Sequence, residues 1–305
     1  MLKRRASRDV LTRQTFPGKP DKVAYLYLAP LFLVYSLFLL LPLLRLVWFA
    51  LYDWNGLSSA KWVGLANFRD LFVEESQREP FLHAGILIFF FSVIPVTVGL
   101  VLAAIVSRSP LRALGFFRTV LFMPQVVAMV VVAAAWRSLY APAGTINEFL
   151  RAVGLDTLTR PWLGDYNFAL PAIGIIGTWV GTGLTFILFL GGIAKIPREL
   201  YEAARIDGAG PIREFFSVTL PSLRYELSVV LTLTVIAALR TFDVIYVTTR
   251  GGPGTSTVVP SFQVYRDAFQ LGHVGAAAAL AIGLTTLIFV LSFVITQIAE
   301  RGRET

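Results

Sequence analysis

The chain has 305 residues, 56% of them hydrophobic and 15% charged, whereas about a quarter of the positions in a soluble domain are charged. That balance excludes an ordinary water-soluble fold and points to a membrane protein. Cysteine is absent, which removes disulfides, thiol nucleophiles and Cys-based metal sites; the net charge of +8 lies in gaps between apolar runs, not on one face as nucleic-acid binding requires.

A basic tail, residues 1–22, precedes the first apolar run at 23–44 (VAYLYLAPLFLVYSLFLLLPLL). Cleaved signal peptides also begin with basic and then apolar residues. This run is too long for one and no clear small-x-small site follows, so it reads as a retained span. With the external loop after it, it makes up a leading segment, 23–79. Five more runs reach the roughly 20 apolar residues that a helix needs to satisfy its backbone across a bilayer. They lie at 82–106, 116–140, 168–194, 227–248 and 276–298, inside a segment 80–299, and a short tail, 300–305, closes the chain. The fold expected is all-α and polytopic, with six transmembrane helices.

Orientation follows from where Lys and Arg accumulate. Seventeen fall on one side: Lys3, Arg4, Arg5, Arg8, Arg13, Lys19 and Lys22 in the tail; Arg108, Arg112 and Arg118 after the second run; Lys195, Arg198, Arg205, Arg213 and Arg224 after the fourth; Arg301 and Arg303 at the end. Seven fall on the other side, in longer loops: Lys61, Arg69, Arg78, Arg151, Arg160, Arg250 and Arg266. Both termini are therefore expected in the cytoplasm. Arg45 and Arg137 lie near span ends, where a long side chain reaches the headgroups.

Charge inside a span is costly, about 2.5 to 3.5 kcal/mol for Arg or Asp at the helix centre on insertion scales. Arg240 and Asp243 sit three apart in the fifth run and are expected to pair on one helix face, either at a gate or cavity or as a lock on a neighbouring helix. In the fourth run GTWVGTGLTF (residues 177–186) is dense in Gly and Thr, which suits close helix packing. His83 and His273 lack the HExxH spacing, so a membrane enzyme finds no site in them.

Between the fourth and fifth runs lies ELYEAARIDGAGPIREFFSVTLPSLR (residues 199–224), the longest stretch of mixed charge in the chain. Residues 199–206 favour helix, Gly208 stands where a left-handed cap belongs, and Pro211 suits the first turn of a second helix that stops near Pro221. On charge pattern alone this is an amphipathic connector at the membrane surface.

Its residue identities say more. Glu202-Ala203-Ala204, Asp207-Gly208-Ala209, Phe215 and Leu220-Pro221 resemble the EAA loop of bacterial ABC importer permeases. WVGLANFRDLF (residues 62–72), FMPQVV (122–127) and GGPGTST (251–257) are similar to the sugar-permease branch, the maltose and glycerol-phosphate type. The resemblance implies the type I importer fold, in which the EAA elbow is a coupling helix docked in a cleft of a cytoplasmic ATPase. Its contact set here would be Glu202, Ala203, Ala204, Asp207, Gly208, Phe215, Leu220 and Pro221, with Glu202 and Arg205 making charged contacts at the rim. It also implies a second, homologous permease subunit, two ATPase copies that bind ATP and Mg, and an external solute-binding protein, all in the bacterial inner membrane system. Solute contacts would fall at Gly177, Val180, Gly181 and Leu184, then Ala237, Ala238 and Thr241, residues smaller and less polar than the Asn and Tyr contacts of the maltose type; Arg240 and Asp243 join the candidate pathway on their in-span charge alone. APAGTINEFLRAVGLD (residues 141–156) is either a plain surface helix or the family's outer hairpin facing the binding protein.

No G-x-x-x-x-G-K-[ST] phosphate loop occurs, so this chain is not the ATPase; no cofactor is expected in it. Two rival classes are a secondary transporter, for which Asp243 is the clear in-span carboxylate, and a scaffold or receptor subunit without a solute path. The solute stays open among mono-, di- and oligosaccharides and glycerol phosphate.

Overall fold

The computed structural model describes residues 22–108 and 114–301. The basic tail before Lys22, together with Arg112 and Arg303, lies outside the described residues. Contacts divide the chain into two compact units, residues 1–46 and 47–305.

In the first unit, helix α1 (Tyr25–Ala50) begins; it is long and apolar enough to span a bilayer, and its side chains are exposed from Tyr25 to Arg45. In the second unit α1 ends in an aromatic cluster of Trp48, Phe49, Tyr52, Trp54 and Trp62, the last on a two-stranded ladder of β1 (Tyr52–Asp53) and β2 (Lys61–Trp62). Helix α2 (Ala66–Val73) follows. Its Asn67 donates to the carbonyls of Ala50 (2.9 Å) and Tyr52 (3.0 Å), so the WVGLANF motif closes the external loop onto the end of α1.

The remaining spans are α3 (Glu75–Arg108), the pair α4 (Leu114–Val126) and α5 (Met129–Leu139), α7 (Ala169–Ile193), the pair α10 (Arg224–Leu239) and α11 (Asp243–Thr248), and α13 (Val274–Arg301). Helix α6 (Thr145–Ala152) is external, α8 (Arg198–Ile206) and α9 (residues 211–222) form the elbow, and α12 (residues 260–270) precedes α13. Among the described residues five helices are long and apolar enough to cross, or six with the α4–α5 pair counted as one span.

Two runs expected to be continuous are broken. The third bends by 95° between Val126 and Met129, where Ala128 is extended (ψ 133°). Its halves have different partners: α4 packs on α7 while α5 packs on α11, and no straight helix reaches both. The fifth stops at Leu239 and restarts at Asp243. The expected Arg240–Asp243 pairing on one helix face is therefore wrong. Arg240 ends one helix, Asp243 opens the next, both are exposed, and no ion pair joins them.

Wide turns with i→i+5 bonding interrupt the helices at Ser36–Leu40, Phe89–Val93 and Phe215–Thr219, each two residues before a proline: Pro42, Pro95 and Pro221. The proline ring clashes with the carbonyl four residues back, which lies inside each wide turn, and the extra residue gives it room. The second arm of the elbow thus ends at Ser222, next to Pro221 as expected, and hinges at Leu223 (φ −90°, ψ 8°). A fourth wide turn, Arg266–Gln270, has no such proline.

Helices α3 and α7 form the most extensive pair. Two cores flank their crossing. One, built on Leu87, Phe91, Ile173, Ile176, Ile245 and Phe262, also packs the external residues Ile146 and Trp162. The other, built on Val96, Leu100, Phe186, Phe189, Leu223 and Val230, takes in Phe215 and Leu220 of the elbow.

Candidate functional site

The elbow is built by two capping rules. Helix α8 ends at Asp207, and Gly208 adopts φ +79°, which glycine reaches without a Cβ penalty. The Gly208 N–H then bonds to the Arg205 carbonyl (3.0 Å) and the Ala209 N–H to the Ala204 carbonyl (2.9 Å), the paired closure of a Schellman turn. Pro211 opens α9 at its first position, where no N–H is required.

The two arms are fastened by a buried carboxylate. Glu214, with 4% of its side chain exposed, accepts from Arg205 Nε at 2.7 Å and faces Arg108 Nη2 at 3.2 Å. Its carboxylate pushes the Arg205 guanidinium further up from its ordinary value, chiefly through the hydrogen bond. Tyr201 and Thr219 share a second hydroxyl contact between the arms, 3.0 Å. Arg205 was expected at the rim of a partner interface; it is committed within the elbow. Phe215 and Leu220, expected among the coupling contacts, pack inward on the core beside Phe189 and Leu223 and fix the elbow to the spans. Pro221 lies in the last turn of α9.

Helix α8 has two faces. Arg198, Tyr201, Glu202 and Arg205 recur at helical spacing and line a cavity of about 680 Å³ that also meets Arg108, Arg118 and Glu214. On the other side Leu200, Ala203 and Ile206 are exposed, and with Ile212 (76% exposed) and Phe216 (62%) on α9 they make an uncovered apolar surface. Ala204 is half-buried and Asp207 exposed. Large apolar side chains left in the open on a polar loop mark an interaction surface.

In the fourth span the structure uses nearly every small or hydroxylated residue for packing. A Cβ on Gly177 would stand 2.1 Å from the Phe91 ring, and one on Gly183 would stand 1.9 Å from the Leu121 carbonyl oxygen. Gly181 abuts Pro95, Val180 is buried among the outer core, and Leu184 is half-buried. Thr185 donates to the Pro95 carbonyl at 2.7 Å. In the fifth span Ala238 and Thr241 are buried, the Thr241 hydroxyl returns to the Ala237 carbonyl (2.9 Å), and Ser261 donates to the Thr241 carbonyl at the break. Ala237, Arg240 and Asp243 are exposed. A helix broken at membrane depth needs such side-chain donors, because no water supplies them.

Externally, Asn147 is buried and gathers the outer hairpin. It donates to the carbonyl of Arg160 (2.9 Å) and accepts from Trp162 Nε1 (2.9 Å). The RGGPGTST loop is tight, with Arg250 at φ 52°, a cis Gly252–Pro253 bond and the Thr257 hydroxyl on the Gly252 carbonyl (2.8 Å).

The sequence profile of the binding-protein-dependent transport system inner membrane component family matches residues 86–304, most of the chain and the whole of this arrangement. The chain belongs to that family. This permease is 35% identical to a probable ABC transporter permease of Bacillus subtilis over 285 residues, covering 92% of this chain and 97% of that protein. It is 34% identical to the trehalose/maltose transport system permease of Thermococcus litoralis, covering 91% of this chain and 92% of the relative. The structure superposes on a chain of the bacterial alginate ABC transporter crystallised with an alginate pentasaccharide-bound periplasmic protein, with TM-score 0.78, 22% identity, and 92% and 95% of the two chains covered. That likeness gives the fold, which is the all-α, multi-pass fold of a type I importer permease. Membership sets aside the secondary transporter and the scaffold.

The permease holds functional residues that sequence reasoning passed over. Glu214 and Arg108 are 106 residues apart, and nothing in either neighbourhood announces the pairing. Asn147 could have been found, since a lone amide at the start of an apolar-faced helix beside Trp162 needs partners.

Proposed function

We propose that this permease is one of the two membrane halves of an ATP-driven importer for a carbohydrate or similar polyol. An external binding protein delivers the solute, a second homologous permease completes the pathway, and two ATPase copies on the cytoplasmic side bind ATP and Mg. The chain lies in the bacterial cytoplasmic membrane with both termini inside, on the Lys and Arg asymmetry. The observation that carries the reading is the uncovered apolar face of the elbow, Leu200, Ala203, Ile206, Ile212 and Phe216, on two arms fastened to each other and to the spans. Such a rigid unit moves as a body when a partner cleft closes on it. The sugar class is supported by relatives such as the trehalose/maltose transport system permease. Glu202, Ala203, Ala204, Asp207 and Gly208 remain the coupling set. Of the solute positions, Ala237, Arg240, Asp243 and Leu184 keep surface for a path shared with the second permease, whereas Gly177, Gly181, Val180, Ala238 and Thr241 shape it from behind.

ATP-dependent uptake of a radiolabelled sugar panel in vesicles, with the chain coexpressed with its neighbouring permease, ATPase and binding protein, tests this. Uptake of one sugar that is lost in Ile206→Asp and Glu202→Lys, with the permease still inserted, supports coupling through the elbow. Uptake indifferent to both variants, or to removal of the ATPase, refutes it.

A further inference from the structure

Helix α8 packs chiefly on its own partner arm, α9, and stands off the spans, leaving the cavity of about 680 Å³ beneath it. Four guanidinium groups line that space, Arg108 from the end of α3, Arg118 from α4, and Arg198 and Arg205 from α8, against two carboxylates, Glu202 and Glu214. The carboxylate of Glu214 holds Arg108 and Arg205 in place at 3.2 and 2.7 Å and spends its charge on them. Arg118 and Arg198 have no ion pair or hydrogen bond among the described residues. A cavity of this size with two fixed and two unpaired guanidinium groups is suited to a doubly hydrogen-bonding oxyanion: the planar fork of Arg matches phosphate, and Arg is less strongly hydrated than an ammonium group.

We propose that this cavity is a phosphate-binding site that bridges the elbow to the second and third spans. It lies where the chain leaves the membrane on the side read above as cytoplasmic, and the proposal rests on that orientation. Its ligand is a phosphate group carried by an anionic phospholipid or by a small cytoplasmic phosphate. Occupancy ties Arg198 on α8 to Arg118 on α4 and so stiffens the elbow against the spans it drives. Leu200, Ala203 and Ile206 lie outside the cavity lining, and of the coupling set only Glu202 belongs to it, so a phosphate and a docked ATPase meet at that one residue of α8.

Native mass spectrometry of the full-length chain in neutral detergent, titrated with dioleoyl phosphatidylglycerol and in parallel with dioleoyl phosphatidylcholine, tests the site. Wild type is expected to prefer the phosphatidylglycerol, and the Arg118→Gln/Arg198→Gln variant to bind it about thirtyfold more weakly, from the loss of two charges near an anionic headgroup. Both arginines are exposed and unpaired, so the variant folds; Glu202→Gln, which removes a negative charge from the lining, is expected to tighten binding, and Arg69→Gln in the external loop to leave it unchanged. Phosphatidylglycerol displaced by millimolar inorganic phosphate assigns the site to a soluble phosphate; lipid retained against it assigns the site to the headgroup. Equal binding by wild type and the double variant, or no preference over phosphatidylcholine, overturns the proposal. Uptake by the assembled importer carrying the double variant keeps the permease reading separate, since that reading stands if transport persists whatever the binding result.

Discussion

The hydroxyl of Thr178 donates to the backbone carbonyl of Phe90 across 2.6 Å, between the fourth and second spans. The wide turn at Phe89–Val93 sends the Ile94 N–H to the Phe89 carbonyl, and Pro95, next in line, has no N–H for the carbonyl of Phe90. The threonine supplies the donor that the proline lacks. A buried carbonyl stripped of its donor costs about 1 to 3 kcal/mol. Thr178→Val is therefore expected to lower thermal stability in detergent by that amount, and Thr178→Ser to restore most of it. Equal melting of Val and Ser variants would show that the contact contributes only packing.

The glycines of the fourth span separate by what they face. Gly183→Ala forces a methyl group into the Leu121 backbone, which cannot swing aside as a side chain can, so α4 must lift from α7. Overpacking of this kind costs about 1 to 3 kcal/mol. Gly191, with nothing within 4 Å of its Cβ position, is the matched control. Gly191→Ala is expected to be neutral or to stabilise by up to about 1 kcal/mol through helix propensity. Melting temperatures of the two variants in one detergent decide it.

Glu214 carries a prediction of larger magnitude than that of a surface pair. Replacing Arg108 by Ala leaves a buried carboxylate with one partner instead of two, at a cost of about 3 kcal/mol by analogy with broken buried pairs. Glu214→Gln, which removes the charge but keeps the shape, is expected to cost less. Lys195→Ala, which breaks the exposed pair with Glu226, is expected to change stability by less than about 1 kcal/mol. Denaturation of the three variants gives that ranking, or contradicts it.

Ile206 and Ile212 are exposed and support nothing within the chain. Ile206→Asp and Ile212→Asp are expected to leave melting unchanged and to abolish copurification of the ATPase, because a charge in the centre of a desolvated docking surface finds no partner. Retention of the ATPase by both variants would move the docking surface to another part of the elbow.

Composition and spacing were enough for the broad architecture. Apolar runs of bilayer length can satisfy their backbones only as helices, so the 82–106, 168–194 and 276–298 runs were legible at once. The Gly208 and Pro211 punctuation of the elbow was equally local: a left-handed cap and a first-turn proline depend on one residue each. The breaks in the third and fifth spans were not legible, because hydropathy is blind to which neighbour each half packs on. The same limit hid Arg108 from Glu214 and Phe90 from Thr178, pairs formed by residues far apart in the chain whose energies depend on burial that only the packed helices create. It also misplaced Arg240 and Asp243, since a spacing of three means one face only while the helix continues, and here it ends between them.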